Sequence, residues 1–95
     1  MAHYQMRGNE LLDSSYRRVA EIRGNEILDD SYRRIAEIRG NEILDSSYRR
    51  VAEIRGDDVL DSSYRKIASL RDIRSSIDGG MGGVTLAALW LFFIR

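Results

Sequence analysis

Arg23-Gly24-Asn25-Glu26-Ile27-Leu28-Asp29-Asp30-Ser31-Tyr32-Arg33-Arg34-Ile35-Ala36-Glu37-Ile38 is the stretch whose reading decides the fold. The same sixteen-residue unit begins at Arg7 and again at Arg39, returns more loosely from Arg55, and degrades from Arg71 into Arg-Asp-Ile-Arg-Ser-Ser-Ile-Asp78. Propensity alone favours helix, because Glu, Arg, Ala and Leu are abundant and Pro is absent. Periodicity argues against one continuous helix. Sixteen residues at 100° each leave a remainder of about 160°, so successive apolar sets would face nearly opposite sides. Helices broken at each Gly-Asn would escape that objection, but only as short helices with almost no loop between them.

Strands suit the unit better. Gly24-Asn25 is a two-residue hairpin signal between short apolar runs. Folding there sets Arg23 opposite Glu26, Ile22 opposite Ile27 and Ala20 opposite Asp29, and each favourable cross-strand pair contributes ~0.2–1 kcal/mol. Asp29-Asp30-Ser31-Tyr32 supplies the return turn, since Asp and Ser bond their own backbone. One face then carries Ala20, Ile22 and Ile27, with their equivalents Ala36, Ile38, Ile43, Ala52, Ile54 and Val59. The other carries Val19, Glu21, Arg23, Glu26 and Leu28.

The expected fold class is therefore mainly β: a closed symmetric barrel of about five β-hairpin repeats, or about ten short strands. Closure would remove sheet edges, and ten strands enclose more than side chains alone can fill. Val84-Thr-Leu-Ala-Ala-Leu-Trp-Leu-Phe-Phe-Ile94, closed by Arg95, is apolar on every side of a helix except at Thr85. Such a helix must be buried all round. The expectation is a C-terminal hydrophobic α-helix threaded through the centre, reached by the Gly79–Gly83 turn. The chain thus divides into hairpin repeats at 1–78, a Gly-rich turn at 79–83 and a central helix at 84–95, within a single domain 1–95.

The repeated unit and the closing apolar segment together resemble the five-fold β-flower family, over almost the whole chain. That resemblance implies an outline similar to tubby-like and scramblase-like domains, barrels around a hydrophobic helix, some of which bind membrane lipids. It implies no established activity. Tyr16, Tyr32, Tyr48 and Tyr64 depart from the pattern, standing where a turn glycine is expected.

Composition limits function further. The 95 residues carry 15 basic and 15 acidic side chains, so no bulk attraction to nucleic acid is expected. Cysteine is absent and histidine occurs once, at His3. That removes thiol chemistry, disulfides and an all-His metal site. Met1-Ala-His-Tyr-Gln-Met6 lacks the build of a signal peptide, and a cytoplasmic location is the default expectation. Apart from Ser69, serines fall in the repeated Ser-rich turns or their degraded fifth copy, so neither a nucleophile beside a base nor a carboxylate pair in a cleft is evident. No enzyme activity and no cofactor are expected.

Three features remain as candidate sites. Asp13, Asp29, Asp45, Asp61 and Asp78 would form an acidic ring able to hold a hard cation, or each would cap its own turn. Arg17, Arg33, Arg49 and Arg65, beside Tyr16, Tyr32, Tyr48 and Tyr64, would make a basic, aromatic rim for anionic headgroups or a phosphorylated ligand. The competing reading is a solvated face with Arg stacked on Tyr. The uncharged segment Gly79–Ile94 suggests a membrane segment but is shorter than the ~20 residues that span one. Without it the repeats would have no core.

The function expected is a small, monomeric, non-enzymatic binding or scaffolding module for an unknown protein or lipid partner. The alternative is a lipid- or membrane-associated protein, acting through the C-terminal segment or the rim. A helical-repeat assembly or an engineered repeat chain is the third reading.

Overall fold

The computed structural model describes residues 4–79 and 82–95; His3 and the Gly80-Met81 part of the Gly-rich turn lie outside them. The repeats form strands. Tyr4–Arg7 (β1), Glu10–Leu12 (β2), Arg18–Arg23 (β3), Glu26–Asp29 (β4), Arg34–Arg39 (β5), Glu42–Asp45 (β6), Arg50–Arg55 (β7), Asp58–Asp61 (β8) and Lys66–Ser69 (β9) pair antiparallel in sequence order. The predicted register holds: Arg23 faces Glu26, Ile22 faces Ile27 and Ala20 faces Asp29. At each Gly-Asn turn the Gly takes a positive φ of 61–63°, the Gly-first pattern of a tight hairpin. The Asn carbonyl then accepts the Ile N–H of the next strand but one, as from Ile38 on β5 to Asn25 at 2.7 Å. Each turn therefore pins the next hairpin as well as its own.

The two faces differ from expectation at one position per unit. A β-bulge between Ile27 and Leu28 sets Leu28 opposite Arg34 and leaves Ile35 unpaired. Its counterparts Val19, Val51 and Ile67 join Ile35 in packing against the core, so Val19 belongs to the inner face. Leu12, Leu28, Leu44 and Leu60 stay on the other face and are nonetheless 4–8% exposed. By register each lies opposite an Arg or Lys, whose aliphatic stem suits that cover.

The fifth unit breaks the pattern, and with it the expected closure. Asp72-Ile73-Arg74 offers no glycine for a two-residue turn. The chain instead makes a short helix, Leu70–Arg74 (α1), whose N-cap Ser69 accepts the Asp72 N–H at 3.2 Å. The next strand, Ile77–Asp78 (β10), aligns with Leu60-Asp61 once one inserted residue is allowed, but Ile77 joins the core, which Leu60 does not. It pairs parallel with β1, Tyr4 to Ile77 and Gln5 to Asp78, and not with β9. The sheet therefore has ten strands with two ends, β10 and β9, and is not a closed barrel. α1 links those ends and packs against both, burying Leu70 and Ile73 in the core.

Gly83–Leu89 (α2) continues into a π-helical last turn, Trp90–Ile94. α2 packs on β5, β6, β7 and α1. Leu86, Ala87, Ala88 and Leu89 are each at most 1% exposed, and four consecutive helical residues cover nearly every direction around the axis. They form one core with Leu11, Ala20, Ile27, Ala36, Ile43, Ala52, Val59 and Ile77, drawn from β2 to β8 and from β10. Alanine recurs on the wall where the helix lies, and larger residues fill between.

Candidate functional rim

At the return turns Asp13, Asp29, Asp45 and Asp61 each build a small hairpin loop. In the second unit the Asp29 carbonyl accepts the Tyr32 N–H at 3.0 Å, and the Asp29 N–H donates to the Arg33 carbonyl at 2.9 Å. Its carboxylate Oδ1 accepts the Ser31 and Arg33 N–H groups at 2.8 and 3.0 Å. The Arg33 Nε lies 3.5 Å from Oδ2. The same bonds recur at Asp13, Asp45 and Asp61. All four carboxyls titrate below their ordinary value, chiefly because of the backbone N–H from the Arg four residues on, partial burial opposing it. These oxygens are spent on the turns. Asp78 stands apart, paired with Gln5 on β1, and among the described residues no cluster suited to a metal ion occurs.

This loop requires a left-handed residue, and here that residue is Tyr. Tyr16, Tyr32, Tyr48 and Tyr64 have φ of 63–66°, a conformation that costs a side-chain-bearing residue ~1–2 kcal/mol. What holds three of them is an Arg from the preceding unit. Arg18, Arg34 and Arg50 lie 4.2–4.3 Å from the ring centres of Tyr32, Tyr48 and Tyr64. Each also reaches the next turn's backbone, Arg18 donating to the Asp30 carbonyl at 3.0 Å, Arg34 to Ser46 at 2.9 Å and Arg50 to Ser62 at 3.0 Å. Apart from the doubled Arg itself, no sequence signal marks this division of labour. The second Arg of each pair is a clamp between units, half-buried at 19–22% exposure for Arg18 and Arg34.

The first Arg of each pair is the exposed one, in a loose ion pair with its turn Asp. Arg17, Arg33, Arg49 and Arg65 are 79–81% exposed, and beside them the four tyrosines are 55–68% exposed. The second cation of the doublet also faces a carboxylate, Arg18 with Glu10, Arg34 with Glu26 and Lys66 with Asp58. The chain end meets this rim. α2 starts at the opposite edge, where a side chain on Gly83 would strike Leu70, and twelve helical residues extend about 18 Å, a strand's length. At its far end Arg95 lies 5.7 Å from the Trp90 ring and close enough to Asp61 to help lower that carboxyl's pKa. No protein-family model, curated protein or solved structure matches the chain.

Proposed function

We propose that the protein is a small non-enzymatic binding module whose Tyr–Arg rim recognises an anionic ligand. One observation carries this reading: the rim presents the same exposed Arg beside the same exposed Tyr in four turns, each turn fixed by its own Asp. Because the turn backbones are already fixed, binding has to order the Arg side chains but not the loops that carry them. The paired Asp only partly offsets each Arg, because an exposed ion pair at 3.5–3.7 Å is weak. The sheet and helix serve as the frame. Burial of Leu86–Leu89 on every side supports a wall that curves around α2, in the outline of the β-flower family.

Titration with a soluble polyanion such as inositol hexakisphosphate, at low and at high salt, tests the reading. Binding should weaken as salt screens the rim. Replacing Arg17, Arg33, Arg49 and Arg65 together by Gln should abolish it, with the circular dichroism spectrum unchanged. Equal binding by the two proteins would overturn the assignment of the rim.

A further inference from the structure

The burial pattern along the C-terminal helix changes in kind at Trp90. Leu86–Leu89 are sealed, whereas Trp90, Leu91, Phe92, Phe93 and Ile94 are all half-buried. A helix lying along a surface would alternate buried and exposed positions with its turn. Uniform partial exposure over five consecutive residues means that the helix leaves the core end-on. Two Phe, a Leu, an Ile and the chain's single Trp in this turn still pack against the core while remaining part-exposed. Apolar groups at the end of a helix whose Arg95 lies near Asp61 of the Tyr–Arg rim have the composition of a bilayer interface contact: aromatic rings for the headgroup layer, guanidinium groups for phosphate.

We propose that the π-helical turn Trp90–Ile94 and the rim residues Arg17, Arg33, Arg49 and Arg65 form one surface that docks end-on onto an anionic lipid bilayer. The proposal rests on the rim reading above and names its ligand. Charge complementarity argues for a bilayer over a folded partner. The rim repeats one chemistry from turn to turn along one edge of the sheet, which suits a surface that is itself laterally uniform. Docking is superficial, for no described helix is long and apolar enough to cross a membrane. Neither half suffices alone: the turn offers shallow apolar contact, and the arginines offer attraction that salt screens.

Trp90, as the single tryptophan, reports directly on the contact. Vesicles of phosphatidylcholine with and without phosphatidylserine should be titrated into the full chain while its emission is followed. With phosphatidylserine present the emission should shift to the blue and be quenched by brominated acyl chains. The four-Arg variant should partition more than about a hundredfold less well. Three results would overturn the proposal. In the first, inositol hexakisphosphate binds while no vesicle alters Trp90, leaving the rim reading standing. In the second, neutral vesicles give the same shift and the Arg changes have no effect, which makes the tail act alone. In the third, the shift comes with loss of the strand signal, which marks unfolding. If the soluble polyanion also fails to bind, the rim reading falls as well.

Discussion

The three middle units and the fifth start alike at an Arg and share an Ile/Leu-Asp step, yet they fold quite differently. In the middle units Gly takes φ near 62° at one turn, Asp gathers the N–H groups of the other, and Arg clamps each unit to the next. All three signals are local and agree with one another, so the hairpins repeat. The fifth unit keeps Ile77-Asp78 but has no turn glycine and no tyrosine. It turns through a capped helix, and its last strand joins β1 in parallel. Local signals propagate a sheet. Whether its ends meet depends on a few residues at the seam.

The largest test of that contrast asks whether the middle units need anything beyond their own turns. Leu89 is fully buried, and Leu89→Asp would place an unpaired charge against the strands. We expect a loss of about 4 kcal/mol or more, seen as collapse of the strand signal on denaturant titration. Deleting residues 84–95 should do the same and promote aggregation through the uncovered apolar face. Hairpins that persisted in either variant would mean that the turns alone suffice.

Next in size is a comparison of two glycines. Gly79 at the seam has φ 124°, and a Cβ there would sit 2.7 Å from the Met6 Cβ on β1. Gly40, in a middle turn, has φ 61° and open space around its missing Cβ. Gly40→Ala should cost about 1 kcal/mol from the backbone alone. Gly79→Ala adds a clash between the chain end and the first strand and should cost ~2–4 kcal/mol. Equal shifts in denaturation midpoint would remove the seam as a special site.

Acid should act on the repeats before the seam. The turn carboxyls of Asp13, Asp29, Asp45 and Asp61 are lowered in the folded chain, against about 3.9 when unfolded. Between those values the unfolded chain holds more protons, so stability falls as pH drops. Their contribution is complete above the unfolded value and is lost progressively as pH falls through the lowered one. Hydrogen exchange near pH 3 should open the Asp–Tyr turns first. Replacing the four by Asn keeps an acceptor oxygen and removes the titration, so the acid limb of the stability curve should flatten.

How much of this was legible in the sequence follows the same division. Strand register could be read from Arg23, Gly24, Asn25 and Glu26, because a two-residue turn fixes every pair beyond it. The bulge at Leu28 could not, since it depends on the length of the return loop, which in turn depends on Tyr32 accepting a positive φ. Closure was expected from symmetry, yet it was Asp72-Ile73-Arg74 that decided it. At the rim, residue types were readable but roles were not. The two arginines of each pair are adjacent in sequence, and only the bulged strand separates a clamp from an exposed cation.

The smallest effect separates the edge of the array from its interior. Tyr16 has the same positive φ as Tyr48, but no Arg lies over its ring among the described residues, and it is 68% exposed against 56%. Tyr48 lies under Arg34 at 4.3 Å, a stack worth ~0.5–1 kcal/mol at an exposed site. Changing either to Gly relieves a left-handed residue, less the entropy that Gly loses on folding, for a net gain of about 0.5–1 kcal/mol. At Tyr16 nothing opposes that gain, so Tyr16→Gly should stabilise the protein by that amount. At Tyr48 the lost stack cancels it, and Tyr48→Gly should be neutral or slightly destabilising. Urea titrations of the two variants give the comparison directly. If Tyr16→Gly destabilises as much as Tyr48→Gly, the Arg stacks are not what holds the interior tyrosines, and the clamp between units acts through the Arg hydrogen bonds to the next turn's carbonyls.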